Sequence, residues 1–177
     1  TERARIDSSG NLLVGTTSTV DSGKVSVVYA GQNQIGISLK TSTSDGYALS
    51  VVNSSGTRVG NIYTNGSTTA FNTSSDYRLK NTIIPMTGAL AKVAALKPCT
   101  YKWKVDGSDG EGFIAHELAE VVPQCVTGEK DAVDAEGNPQ YQGIDTSFLV
   151  ATLTAAIQEQ QAIIEGLTAR ITALEAK

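Results

Sequence analysis

Histidine, cysteine and surplus positive charge are scarce in this 177-residue sequence, and each shortage closes a class of function. The single histidine, His116, removes most hydrolytic schemes. Its setting, Gly112-Phe-Ile-Ala-His-Glu-Leu118, has no nucleophile elbow for a Ser-His-Asp arrangement, so His116 reads as a structural side chain at a helix start. Cys99 and Cys125 form neither a CxxC pair nor a Cys/His cluster. They read as buried thiols, with a disulfide left open by spacing alone. A net charge of −4 and a pI near 5.0 provide no basic footprint for nucleic acid or anionic lipid. No apolar run approaches the roughly 20 residues that cross a bilayer, and no leader pattern opens the chain, so no membrane insertion is expected. Phosphate loops, dinucleotide fingerprints and metal-ligand clusters are missing too, so the expected cofactor is none and the expected metal is none. Asp131, Asp134 and Glu136 sit in a polar stretch where solvated charge is the default, which argues against a glycosidase pair.

What is present divides near Ser75. Residues 1–74 hold nine of the 32 charged side chains and are dominated by Ser, Thr, Gly, Asn and Val. Alternation in Lys24-Val-Ser-Val-Val-Tyr29, Gln34-Ile-Gly-Ile-Ser-Leu39 and Tyr47-Ala-Leu-Ser-Val-Val52 predicts short strands. Turn signals at Ser8-Ser-Gly10, Asn53-Ser-Ser-Gly56 and Thr64-Asn-Gly66 separate them. Each strand offers only two or three large apolar residues, too few for a free monomeric sheet. Burial between identical chains would supply the missing core, which predicts an intertwined oligomer. The opening at Thr1 on strand-like sequence is what the C-terminal part of a longer protein would show.

After Ser75 the patterning changes. Leu90, Val93 and Leu96 predict a helix between Pro85 and Lys97, with Thr87 as N-cap and Pro98 as stop. Thr100-Tyr-Lys-Trp-Lys-Val105 reads as a strand closed by the turn at 106–110, and Gly112 to Leu118 leads into a short helix ended by Pro123. Residues 128–140 read as a polar hairpin or projecting loop. From Phe148 onward Val150, Leu153, Ile157, Gln160, Ile164, Leu167, Ile171 and Leu174 recur with spacing 3,4,3,4,3,4,3. That is a heptad seam with Val150, Ile157, Ile164 and Ile171 at a, and the others at d. A narrow, sustained stripe predicts a self-associating coiled coil rather than a helix packed only on its own domain. Ile at a with Leu at d leans toward a dimer, while Gln160 in the seam also bears on register and partner number.

Thr73-Ser-Ser-Asp-Tyr-Arg-Leu-Lys80 lies on the composition boundary. A lysine made neutral by burial or by a nearby cation, here Arg78, can activate a serine. A Ser five residues from a Lys is weak evidence alone, because chance pairs abound in this composition. The sequence is more specific as a set. Ser75-Asp-Tyr-Arg-Leu-Lys80, Gly112-Phe-Ile-Ala-His-Glu-Leu118 with Val122-Pro123, Gln142-Gly-Ile-Asp145 and Ala155-Ala-Ile-Gln-Glu-Gln160 occur in that order. Together they resemble the C-terminal intramolecular chaperone auto-processing domain of bacteriophage tail fibres, tailspikes and neck appendages, over about residues 74–177. Arg5-Ile-Asp-Ser-Ser-Gly-Asn-Leu-Leu-Val-Gly and Gly60-Asn-Ile-Tyr-Thr-Asn-Gly resemble, more loosely, the repetitive β shafts that precede it.

The resemblance implies a mixed fold: a β-rich, triple-stranded β-helix-like shaft over 1–74, a small α+β chaperone module over 75–147, and a coiled-coil helix over 148–177. It implies a homotrimer that templates the shaft and then cuts itself at Ser74–Ser75. Ser75 would be the nucleophile and Lys80, neutral in the assembled trimer, its base, with Asp76 and Arg78 as possible support. The loop at 128–140 would be an arm embracing the nascent shaft, and the trimer replaces the dimer lean of the heptads. Such a protein is a single-turnover serine peptidase acting on itself, made and matured in host cytoplasm and located in the virion tail fibre. Its partners would be further copies of itself and a host receptor or glycan. A non-cleaving trimerisation tip of a receptor-binding fibre is the competing reading. A eukaryotic membrane-bound transcription factor with the same domain is disfavoured by the missing basic region and membrane span.

Overall fold

The computed structural model describes residues 2–20, 23–29 and 35–177. They form two compact units, Thr1–Asn81 and Thr82–Lys177. The fold is mixed α+β, with small sheets and one long C-terminal helix.

Among the described residues the first unit has two three-stranded sheets. In the first, β1 (Ala4–Ile6) pairs antiparallel with β2 (Leu12–Val14), which pairs parallel with β3 (Val25–Val27). Leu13 is fully buried, and Asn11 and Ser26 are buried beside it. Ser26 stays satisfied there because its Oγ accepts the Val20 N–H at 2.9 Å. The second sheet is a meander of β4 (Asp45–Val52), β5 (Arg58–Asn65) and β6 (Thr68–Thr73). Tyr47 opposes Tyr63 across β4 and β5, their rings 5.2 Å apart, and the Arg58 guanidinium lies 4.1 Å over the Tyr47 ring. No side chain of this meander is buried within the chain, and Phe71 remains 79% exposed. The shortage of core expected from composition is therefore a property of the folded single chain. The strand expected over 34–39 does not form: Gln34 lies outside the described residues, and 35–39 pair with no described strand. The strand at 24–29 shortens to β3.

One pentapeptide makes three of the turns. In Asp7-Ser-Ser-Gly-Asn11, Asn53-Ser-Ser-Gly-Thr57 and Asp134-Ala-Glu-Gly-Asn138 the first side chain accepts the backbone N–H groups of the third and fifth residues, at 2.8–3.1 Å. The fourth residue is glycine with φ of 75°, 80° and 85°, a left-handed backbone that residues with a Cβ adopt reluctantly. The first residue's N–H donates to the fifth carbonyl, and the glycine N–H to the first carbonyl. Each is a hairpin turn with its own side chain as the internal brace. Hydrogen bonds from Asn11 and from Asn138 hold the Asp7 and Asp134 carboxyls below the usual carboxylate range.

The second unit is built on two apolar clusters. Helix α2 (Ala115–Ala119), the 3-10 turn Pro123–Cys125 and the start of α3 (Leu149–Glu175) bring together Leu118, Val122, Cys125 and Leu149. Hairpin β7 (Cys99–Lys102) and β8 (Asp109–Gly112) adds its following residue, Phe113, to this cluster. The strand expected to reach Val105 stops at Lys102, because Gly107 at φ 74° turns the chain back. Replacing Leu118, 2% exposed, by alanine removes buried methyls and leaves a cavity. We expect a loss of about 2–5 kcal/mol in chemical denaturation followed by far-UV circular dichroism.

The other cluster joins α1 (Ala89–Ala95) to α3 through Ala89, Ala155 and Ala156, flanked by Leu90 and Val93. Thr87 is not the N-cap of α1. Gly88 holds that place at φ 72°, with no cap of its own. The orphan donors are met from α3 instead: the Glu159 carboxylate accepts the N–H groups of Ala89 and Leu90, both at 2.9 Å. Those bonds, Leu90 first, hold the Glu159 carboxyl below its ordinary value. A carboxyl with a depressed folded pKa contributes stability above its unfolded value, about 4.3, and loses it as pH falls through the folded value. Glu159→Ala should therefore lower the thermal midpoint at pH 7. The gap between variant and parent should narrow as pH falls through the lowered Glu159 value, as read by circular dichroism melts.

Strands β9 (Val126–Thr127) and β10 (Gly143–Ile144) clamp the base of the polar loop. Within it Val133 bridges Pro139 around the third pentapeptide turn, so the expected hairpin over 128–140 is present.

Candidate functional site

Strand β6 ends at Thr73, but its ladder continues one step further: the Ser74 N–H donates to the Val59 carbonyl at 3.0 Å. The chain then leaves the sheet. Asp76, extended at φ −62° and ψ 137°, caps a 3-10 turn over Tyr77–Leu79 by accepting the Arg78 N–H at 2.9 Å. The Leu79 and Lys80 N–H groups close that turn on Asp76 and Tyr77. Fully extended, five residues would separate Ser75 from Lys80 by roughly 17 Å. The turn instead folds them together, and Lys80 Nζ donates to Ser75 Oγ at 2.7 Å.

Arg78 does not spend its charge on this pair. Its Nε and Nη2 grip the two oxygens of Asp76 at 2.9 and 2.8 Å. That grip holds the Asp76 carboxyl below, and the Arg78 guanidinium above, their usual values. The cation expected beside Lys80 thus carries its own counter-ion and fastens the turn that presents Lys80. Ser74, Ser75 and Lys80 are all solvent-exposed in the single chain.

Residues 75–127 match the family model described as the chaperone of endosialidase, a peptidase family by its name. This is the chaperone family that the motifs resemble, and two of the four, Ser75–Lys80 and Gly112–Pro123, lie inside the match. The match to this chaperone family starts on Ser75 and takes in Lys80, α1, the β7–β8 hairpin and α2. No curated protein matches the chain.

Beyond the matched segment, α3 carries two separate faces. Leu149, Thr152, Ala155 and Ala156 are buried against the rest of the unit. Val150, Leu153, Ile157, Ile164, Leu167, Ile171 and Leu174 are 42–67% exposed, and Gln160 is exposed among them. The reading of a helix packed on its own domain holds for the first face only; the heptad seam is a different surface and stays uncovered within the chain.

His116 stands inside α2, half-buried, on the wall of a groove of about 460 Å³ shared with Tyr101, Trp103, Phe113 and Gln142. Tyr101 and Trp103 meet there edge to face at 5.3 Å. Both cysteines are free. Cys125 is buried, its thiol pushed up by desolvation and by the Asp145 charge, while Cys99 is only half-buried and donates its S–H to the Gly112 carbonyl. Two participants escaped sequence reading, Glu159 and the Val59 carbonyl. Each acts on a residue far along the chain, and although Glu159 lies within the Ala155–Gln160 motif, nothing in that motif names α1 as its partner.

Proposed function

We propose that the chain is the C-terminal part of a phage tail fibre or tailspike whose chaperone module trimerises, templates the β shaft and then cuts the Ser74–Ser75 bond. The observation that carries this reading is the 2.7 Å contact between Lys80 Nζ and Ser75 Oγ, inside the segment that matches the chaperone family. With Lys80 neutral the contact reverses, and the Ser75 hydroxyl donates to Nζ. Lys80 takes that proton as Ser75 Oγ bonds to the Ser74 carbonyl carbon. The C–N bond then breaks, the proton passes to the departing Ser75 amine, and water hydrolyses the Ser74 ester. Asp76 and Arg78 brace the turn without touching the reacting atoms. Cover from neighbouring copies would exclude water from this exposed pair and favour the neutral amine.

The uncovered seam of α3 and the coreless β4–β6 meander support self-assembly, with three chains sharing what one cannot bury. A trimer formed first by helices raises the effective concentration of three slow-folding shafts. Cutting afterwards removes the route back and leaves a kinetically trapped fibre.

Denaturing electrophoresis of the assembled protein, with amino-terminal sequencing of the products, tests the reading. Cleavage yields a 103-residue fragment (177 − 75 + 1) that begins at Ser75. Its mass would be about 11 kDa at ordinary composition. A single band of 18.5 kDa would overturn self-cleavage and leave the non-cleaving trimerisation tip.

A further inference from the structure

We infer that the main-chain carbonyl of Val59, on β5, is the positioning group for the acyl side of the Ser74–Ser75 bond, an inference that rests on the self-cleavage reading. The Ser74 N–H is held by Val59 at 3.0 Å, and Ser74 Oγ reaches the neighbouring Arg58 carbonyl at 3.4 Å. The next hydrogen bond of a regular ladder is not made: among the described residues nothing donates to the Ser74 carbonyl. The acyl residue is therefore anchored through its nitrogen while the carbonyl to be attacked stays unengaged. One residue further, the chain enters the Asp76-capped turn that carries Lys80. The scissile bond thus spans the point where a strand held by β5 meets a turn held by Asp76 and Arg78. Fixing one side of a reacting bond in this way converts a floppy intramolecular attack into an oriented one, a source of large rate effects.

Ladder hydrogen bonds alternate along a strand with period two, so register decides whether the Ser74 N–H faces β5. One alanine inserted between Thr73 and Ser74 leaves the Ser75-to-Lys80 spacing untouched and puts the new residue opposite Val59. One alanine inserted between Gly66 and Ser67, in the β5–β6 turn, adds the same length to the shaft and leaves Ser74 opposite Val59. We expect the first insertion to slow appearance of the fragment by at least tenfold, while the second stays within about twofold of the parent. Helix content and oligomeric state, by circular dichroism and light scattering, should match the parent in both. Parent-like cutting after the first insertion, or equal slowing by both, would overturn the positioning role. An uncut parent would overturn the self-cleavage reading beneath it.

Discussion

Lys80→Ala is expected to leave the chain at its full 18.5 kDa, and so is Ser75→Ala. Each change deletes one end of the 2.7 Å contact and leaves the Asp76–Arg78 brace in place. Without Ser75 Oγ no ester can form; without Lys80 no group in contact can take the hydroxyl proton. Removal of either half of a nucleophile–base pair costs on the order of 10³-fold or more in rate. Lys80→Arg should fail as completely, because a guanidinium stays protonated at any working pH. The check is electrophoresis over a time course, with the variants' helix content and oligomeric state matching the parent. A variant lacking Lys80 that cuts at the parental rate would remove the lysine from the mechanism.

The second large effect lies in the long helix. Ile164→Asp places a charge near the centre of the uncovered seam, eight residues beyond the Ala155–Ala156 face that packs on α1. In a single chain the new carboxylate is solvated, so the monomer keeps its fold. In a coiled coil it is buried in every copy, at a cost of several kcal/mol for the assembly. We expect assembly to weaken more than 100-fold, read as a monomer mass in light scattering with helical signal retained. If cutting depends on assembly, the fragment disappears as well. An unchanged oligomer mass would show that the seam is not the association surface.

The parts of this protein that sequence reading recovers are those written in local pattern. Strand β7 is announced by alternation, the long helix by seven successive spacings of three and four residues, and the hairpin turns at Gly10 and Gly56 by their Ser-Ser-Gly signals, whereas β8 begins inside the turn expected at 106–110. Ser75 and Lys80 are singled out because a five-residue spacing sits within a recognisable set of motifs, and the structure places their side chains in contact. What goes unread is non-local. The α1 cap comes from Glu159, 70 residues beyond Ala89, so a search for a cap at Thr87 could not find it. The strand expected at 34–39 has the right alternation but no described partner to pair with, since alternation specifies a face and not a neighbour. The anchoring of Ser74 is a property of register, which the side chains of residues 73–75 do not encode.

The repeated pentapeptide turn has a consequence for how the β-rich part is assembled. A reversal braced by its own first side chain needs no apolar neighbour, so it can form in a chain that has not yet found its core. Each such reversal is a nucleus of low contact order, able to organise two flanking strands on the timescale of a lone hairpin, microseconds rather than seconds. If partner chains supply the missing core, as proposed above, waiting for them would delay lateral association more than strand reversal, since the braced reversals can form within one chain.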